Sequence, residues 1–233
     1  AEMLLKGKRA VVTGASRGVG RAIAAAFLSE GAAVHGTGRD PEALADTEAA
    51  LHEIGGEFAL HEIELTSETA ICTYVDDLPQ IDILVNNAGI ARITPFVETD
   101  VAEVRQILET NVVAPFVLMR QAARKMLSAG GGQIINIASD ASVRGIPQMA
   151  PYTASKHALL GMGRALAREL RKEGIRVTTY CPGPIDTHIV REGSNPEALR
   201  PADVARTIVH LAALPPEVEV REMLVEPMLM DIP

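Results

Sequence analysis

The chain has 233 residues, 47% of them hydrophobic, which suits one large core and is short for two domains. A formal net charge of −8, no Trp and 3% aromatic residues disfavour a nucleic-acid surface, a base-stacking platform or an anionic membrane as partner. Cys72 and Cys181, far apart in sequence, give no disulfide framework, no run reaches the ~18–20 apolar residues of a membrane span, and residues 1–8 hold no leader core or cleavage site, so a cytoplasmic protein in a reducing compartment is expected.

In chain order, a short apolar run at 10–13 reads as a strand. It leads into Thr13-Gly14-Ala15-Ser16-Arg17-Gly18-Val19-Gly20 and a helical stretch over 18–30. Strand, glycine turn and helix is the context of a dinucleotide loop, in which glycines admit a pyrophosphate and the helix N-terminus offers amides. The competing reading is a glycine-rich turn with no ligand. A strand at 33–36 follows, then Gly38-Arg39-Asp40, with Asp40-Pro41-Glu42 opening a helix over 41–54. A strand at 57–63 precedes Glu64-Leu65, a helix covers 68–77, and the apolar strand 83–86 runs into Asn87-Ala88-Gly89. One long helix is expected over 100–128, with Asn111 inside it.

The strand 133–138 ends at Ser139, and a helix over 152–173 carries Tyr152 and Lys156. Four residues apart, these two share a helix face. An ammonium beside a phenol favours phenolate and lowers its pKa from about 10, making a proton donor and acceptor usable near neutral pH. Ser139 reaches that face if its strand packs beside the helix. A strand at 176–181 ends in Cys181, read as an inert buried thiol, and leads into Pro182-Gly183-Pro184-Ile185-Asp186-Thr187. A helix at 202–213 and a strand at 223–225 complete the chain. Alternating βα units with buried strands imply one α/β domain over 1–233. It is a Rossmann-type doubly wound fold with a parallel, seven-stranded sheet.

The Thr-Gly-x-x-x-Gly-x-Gly spacing, Asn86-Asn87-Ala88-Gly89, Asn111, the Ser139–Tyr152–Lys156 set and Pro182–Thr187 together resemble the short-chain dehydrogenase/reductase family, over residues 9 to 187. The resemblance implies reversible hydride transfer between NADP(H) and a carbonyl or secondary alcohol of a small or medium substrate. It implies that Tyr152 exchanges the proton, Ser139 orients the oxygen, Lys156 lowers the tyrosine pKa and holds the ribose, and Asn111 anchors a water to Lys156. It implies a cofactor held by Gly14, Ser16, Arg17, Gly18, Val19, Gly20, Arg39, Glu64, Leu65, Asn87, Gly89, Ile185 and Thr187, together with Tyr152 and Lys156, and no metal. Gly38 stands where NAD-type members carry Asp, and Arg17 and Arg39 could clamp a 2′-phosphate, so NADP is favoured over NAD. The alternative is two solvated arginines, with Asp40 a displaced acid or simply a helix cap.

Other residues carry less. The six His residues lack metal spacing. A solvated or packed role is favoured for His157 and His188 over a substrate contact by His188. Met149 and Pro151 wall a substrate pocket or fill core. The 66–86 stretch implies a trimmed helix and 187–201 a brief, open substrate loop. The ending Val220–Pro227 is more similar to hydroxy-acid and amino-acid-alcohol dehydrogenases than to fatty-acid ketoreductases. Leu118, Met119, Leu159, Leu160 and Met162 exceed one core face, which points to a homodimer or homotetramer of the family's four-helix type. The rival to an enzyme is a non-catalytic, NADP-binding regulator or scaffold.

Overall fold

Arg9–Val12 (β1) is buried and apolar after Arg9 and lies one place from the middle of a seven-stranded sheet. The computed structural model describes residues 3–187 and 195–230. Gly18–Ser29 (α1) returns the chain to Ala33–Gly38 (β2), Pro41–Ile54 (α2) to Phe58–Glu62 (β3), and Glu68–Asp77 (α3) crosses back to Ile83–Asn86 (β4). Val101–Leu108 (α4) and Ala114–Ala129 (α5) precede Gly132–Ile137 (β5). Ala150–Leu170 (α6) precedes Ile175–Pro182 (β6), and Pro201–Ala212 (α7) precedes Glu222–Val225 (β7). All seven strands pair in parallel in the order β3-β2-β1-β4-β5-β6-β7. The direction of strand addition reverses between β1 and β4, the place where open α/β sheets bind ligands at their carboxyl ends.

Two apolar layers cover the sheet. On one side Ile23 and Phe27 of α1 and Ile208 of α7 pack on Val12, Ile135 and Tyr180. On the other, Ile71 of α3, Leu118 of α5 and Leu159 of α6 pack on Leu84, Ile134 and Val177. Strands buried on both faces explain why their sequences run apolar without alternation. Among the described residues, no helix is long and apolar enough to cross a membrane.

Three expectations change. The helix over 100–128 is broken by a π-helical turn, Glu109–Val113, between α4 and α5. Pro115 has no N–H to return to the carbonyl of residue 111, so the ladder widens there. β2 runs to Gly38, two residues further than read, because β3 pairs with it through Gly38↔Glu62. The short helix expected over 68–77 forms with those bounds as α3, capped by the Ser67 side chain on the amide of Ala70. Leu118, Met119, Leu159 and Leu160 are at most 2% exposed, and Met162 packs on the same core. They serve the core of this chain; the large apolar side chains left exposed from α4 through α5 are Val101, Val113, Phe116 and Leu127.

Candidate active site

The site begins at the switch point. Thr13 follows β1, and its hydroxyl accepts the amides of Asn87 and Ala88, each at 3.0 Å. Asn87 answers through its side-chain amide, which donates to the carbonyls of Thr13 (2.9 Å) and Gly14 (3.3 Å). A Cβ on Gly20 would lie 2.0 Å from the Gly14 carbonyl oxygen, so only glycine lets α1 start this close to the turn. α1 has no side-chain cap and no acid in its first turn, which leaves amide donors and the positive dipole end for an anion. Gly18 lies below Thr187, whose Cγ2 would be 3.5 Å from a Cβ there. Val19 is buried, and the Ser16 carbonyl accepts the Thr47 hydroxyl at 2.9 Å. This uncapped glycine cradle fits the pyrophosphate of a dinucleotide.

Beyond β2 the two arginines are paired. Arg17 contacts Asp40 at 2.7 Å and Arg39 lies 3.8 Å from Glu64, all four more than 40% exposed. Asp40 also accepts the Ala43 amide, so it is the helix cap as well as a partner for Arg17. Burial acts to raise the Glu64 carboxyl, but hydrogen bonds from Thr66 and the Arg39 guanidinium outweigh it and hold the carboxyl below its usual range. Leu65, next in the chain, turns its side chain into the core.

Ser139 closes β5 and caps the short turn Asp140–Ser142, its hydroxyl accepting the Ala141 amide at 3.1 Å. Tyr152 projects from the first turn of α6 to within reach of that hydroxyl. One turn on, Lys156 is 5% exposed; its Nζ donates to the Ile137 carbonyl at 3.1 Å and lies 5.6 Å from the Tyr152 ring centroid. The three residues meet as their spacing predicts. Their electrostatics differ from expectation. Burial pushes the Tyr152 phenol up to about 12, with Ser139 pulling it down and the charge of Asp140 adding to the rise. Burial also brings Lys156 down to about 8, against an upward pull from Cys181. Desolvation, and not the ammonium, sets the direction of the phenol's shift.

Asn111 lies on the π-helical turn, 1% exposed. Its Oδ1 accepts the Ile90 amide (2.9 Å), and its Nδ2 donates to the Ile90 carbonyl (2.9 Å) and the Ser155 hydroxyl (3.1 Å). It therefore pins the segment after Gly89 to α6. A Cβ on Gly89 would be 3.3 Å from Asn111 Oδ1 and 3.6 Å from Lys156 Nζ, so Gly89 faces both. Ile185 is half-buried beside the α7 layer and bridges Leu199. Met149 is buried and Pro151 is half-buried. His157 is exposed, its Nδ1 3.0 Å from the Thr153 carbonyl oxygen; His188 and Gly193-Ser194 lie outside the described residues. Cys181 is buried, and burial pushes its thiol up.

The motifs missed Ser155, Asp140 and Arg144. Ser155 reads as lying on another helix face, and it does, but that face meets Asn111. Asp140 and Arg144 form an ion pair with i,i+4 spacing directly after Ser139, a signal present in the sequence.

The sequence model described as short chain dehydrogenase matches residues 8–198. A 3alpha-hydroxysteroid dehydrogenase of Mediterraneibacter gnavus is 35% identical over 232 residues, covering 91% of this chain and 92% of that protein. A crystal structure of a metagenomic short-chain oxidoreductase in complex with NADP superposes with a TM-score of 0.87 at 37% identity, over 97% of this chain and all of that one. A 7 alpha-hydroxysteroid dehydrogenase complexed with NADH and 7-oxo glycochenodeoxycholic acid gives 0.88 at 30% identity, over 97% and 94% of the two chains. With matches of this extent, the chain belongs to the short-chain dehydrogenase family.

Proposed function

We propose that this protein is an NADP(H)-dependent carbonyl reductase or alcohol dehydrogenase acting on a small or medium substrate. The observation that carries it is the convergence of Ser139, Tyr152 and Lys156 beside an uncapped glycine turn. A bound nicotinamide would supply or accept the hydride. Gly14, Gly18 and Gly20 leave room for its pyrophosphate, Asn87 and Gly89 line the adenosine and ribose side, Ile185 and Thr187 stand toward the carboxamide, and Lys156 faces the ribose. Tyr152 gives its proton to the carbonyl oxygen or takes it from the alcohol, Ser139 orients that oxygen, and Asn111 holds the wall behind Lys156. The preference for NADP rests on Gly38, which brings no carboxylate to the end of β2, and on Arg17 and Arg39 beside it; the 2′-phosphate would replace Asp40 and Glu64 as their partner.

Oxidation of NADPH against a panel of ketones, 3-oxo acids and quinones tests the reading. Tyr152→Phe should lose about a hundredfold or more of the turnover while still binding cofactor. Unchanged turnover sinks the mechanism, and absence of turnover on every substrate favours a non-catalytic binder. Dissociation constants measured alongside should favour NADPH over NADH, with Arg39→Ala weakening NADPH alone. Tighter NADH would reverse the cofactor assignment.

A further inference from the structure

The face of β2 and β3 that meets α3 holds four polar side chains that the proposed chemistry does not use. His35 and Thr37 share one face of β2, and β3 pairs His61 with Thr37. The imidazoles of His35 and His61 stack with ring centroids 5.9 Å apart, and the Tyr74 ring of α3 lies 5.0 Å from that of His61. His35 Nδ1, Thr37 Oγ1, His61 Nε2 and Tyr74 Oη are buried and have no hydrogen-bond partner in the chain. A neutral imidazole tolerates such surroundings. A protonated one brings a charge and a further N–H donor into them.

We propose that the stacked His35–His61 pair is an acid-sensitive joint: it docks β3 and α3 onto β2 while both rings are neutral, and taking up a proton releases the β3 edge. Burial acts first against a proton on His35, followed by the charge of a protonated His61; Glu57, just before β3, favours the proton and Arg9 of β1 opposes it. At His61 burial lowers the affinity for a proton. From α3 the facing group is Tyr74, which burial keeps as the neutral phenol. His52 of α2 lies on the opposite side of the sheet, against Phe58. In the open edge each histidine titrates near pH 6.5 and in the closed edge lower, so the closed form is fully held above about pH 6.5 and loses stability as pH falls below it. β3 is an outer strand, paired on one side only, and so has the least to hold it. Its far end is tied to β2 by the Ile63 amide on the Gly38 carbonyl (2.9 Å) and by Arg39, 3.8 Å from Glu64. Release of β3 takes that end apart, and acid then weakens the grip on a cofactor's adenosine half. This consequence rests on the cofactor reading above; the joint itself does not.

Amide hydrogen exchange over Phe58–Glu62, corrected for the intrinsic effect of pH, reads the opening of β3 directly. Between about pH 7.5 and 5.5, protection in the wild-type chain should fall about tenfold, against a limit of about tenfold for each imidazole that stays neutral when closed. His61→Phe removes one titrating ring, its unpartnered nitrogen and the repulsion on His35, and keeps a ring against Tyr74. It should retain protection near pH 7.5 and lose about threefold or less over the same interval. A fall of the same size in both proteins, or none in either, overturns the proposal. Should His61→Phe fail to fold, the wild-type chain decides: the imidazole carbon NMR signals of His35 and His61 should both titrate below the ordinary midpoint of about 6.5, and ordinary midpoints overturn the joint. Exchange needs neither NADPH nor substrate, so a failed joint leaves the dehydrogenase reading standing, and failed turnover leaves the joint standing.

Discussion

Lys156 keeps its ammonium in a place that suits a neutral amine. In the unfolded chain it holds its proton to about pH 10.5; in the fold it releases it near pH 8. Between those values the unfolded chain binds more protons, so stability rises with pH across that window. Tyr152 works in the opposite sense over about 10 to 12, where the folded chain holds the extra proton and stability falls with pH. Lys156→Met should therefore remove about 3 kcal/mol of pH-dependent stability between pH 8 and 10.5, measured as the difference between urea denaturation series of the two proteins. Parallel series would contradict the burial argument. The identities of Ser139, Tyr152 and Lys156 were readable because one helical turn and one strand end fix where they meet. The sign of the tyrosine shift was not. It comes from burial in the folded chain, about which spacing along a helix carries no information.

At the scale of elements, the π-helical turn matters most. It is one continuous helical pattern in the sequence, and only Pro115 marks that the ladder must widen near Asn111. The widened turn carries a buried amide that satisfies both backbone groups of Ile90. Asn111→Ala would leave those groups without that partner and should cost about 2 kcal/mol of unfolding free energy, read from denaturation midpoints at unchanged denaturant slope. A loss of activity with no loss of stability would instead assign Asn111 wholly to chemistry. Strand limits were read less well than strand existence. β2 gains Thr37 and Gly38 only because β3 offers them partners, and a pairing partner is invisible from the local stretch alone.

Across the whole molecule, alternation of strands and helices predicted a parallel sheet of seven strands, and that is what forms. The apolar excess on α5 and α6 was misassigned, because residues such as Leu118 and Leu160 read alike whether they face a partner or the sheet. Val113 and Phe116 remain exposed by 41% and 48%. We expect them to cover one another across a homo-oligomer, so Phe116→Asp should shift sedimentation toward the monomer without changing the melting of the isolated chain by more than about 0.5 kcal/mol. A wild-type chain that sediments as a monomer would refute this.

The seam where Thr13 meets Asn87 also sets a timetable. β1 leaves the ribosome first, yet its neighbours are β2 and β4, and the glycine turn is held by residues more than 70 positions later. No strand in this sheet pairs with its neighbour through a hairpin, so each pairing waits for a crossover and folding is slow for the chain's size. A nascent chain that stops short of Ala88 has the full nucleotide motif in its sequence and none of the cradle: the phosphate site is a product of late folding, although its residues precede nearly all of the sheet.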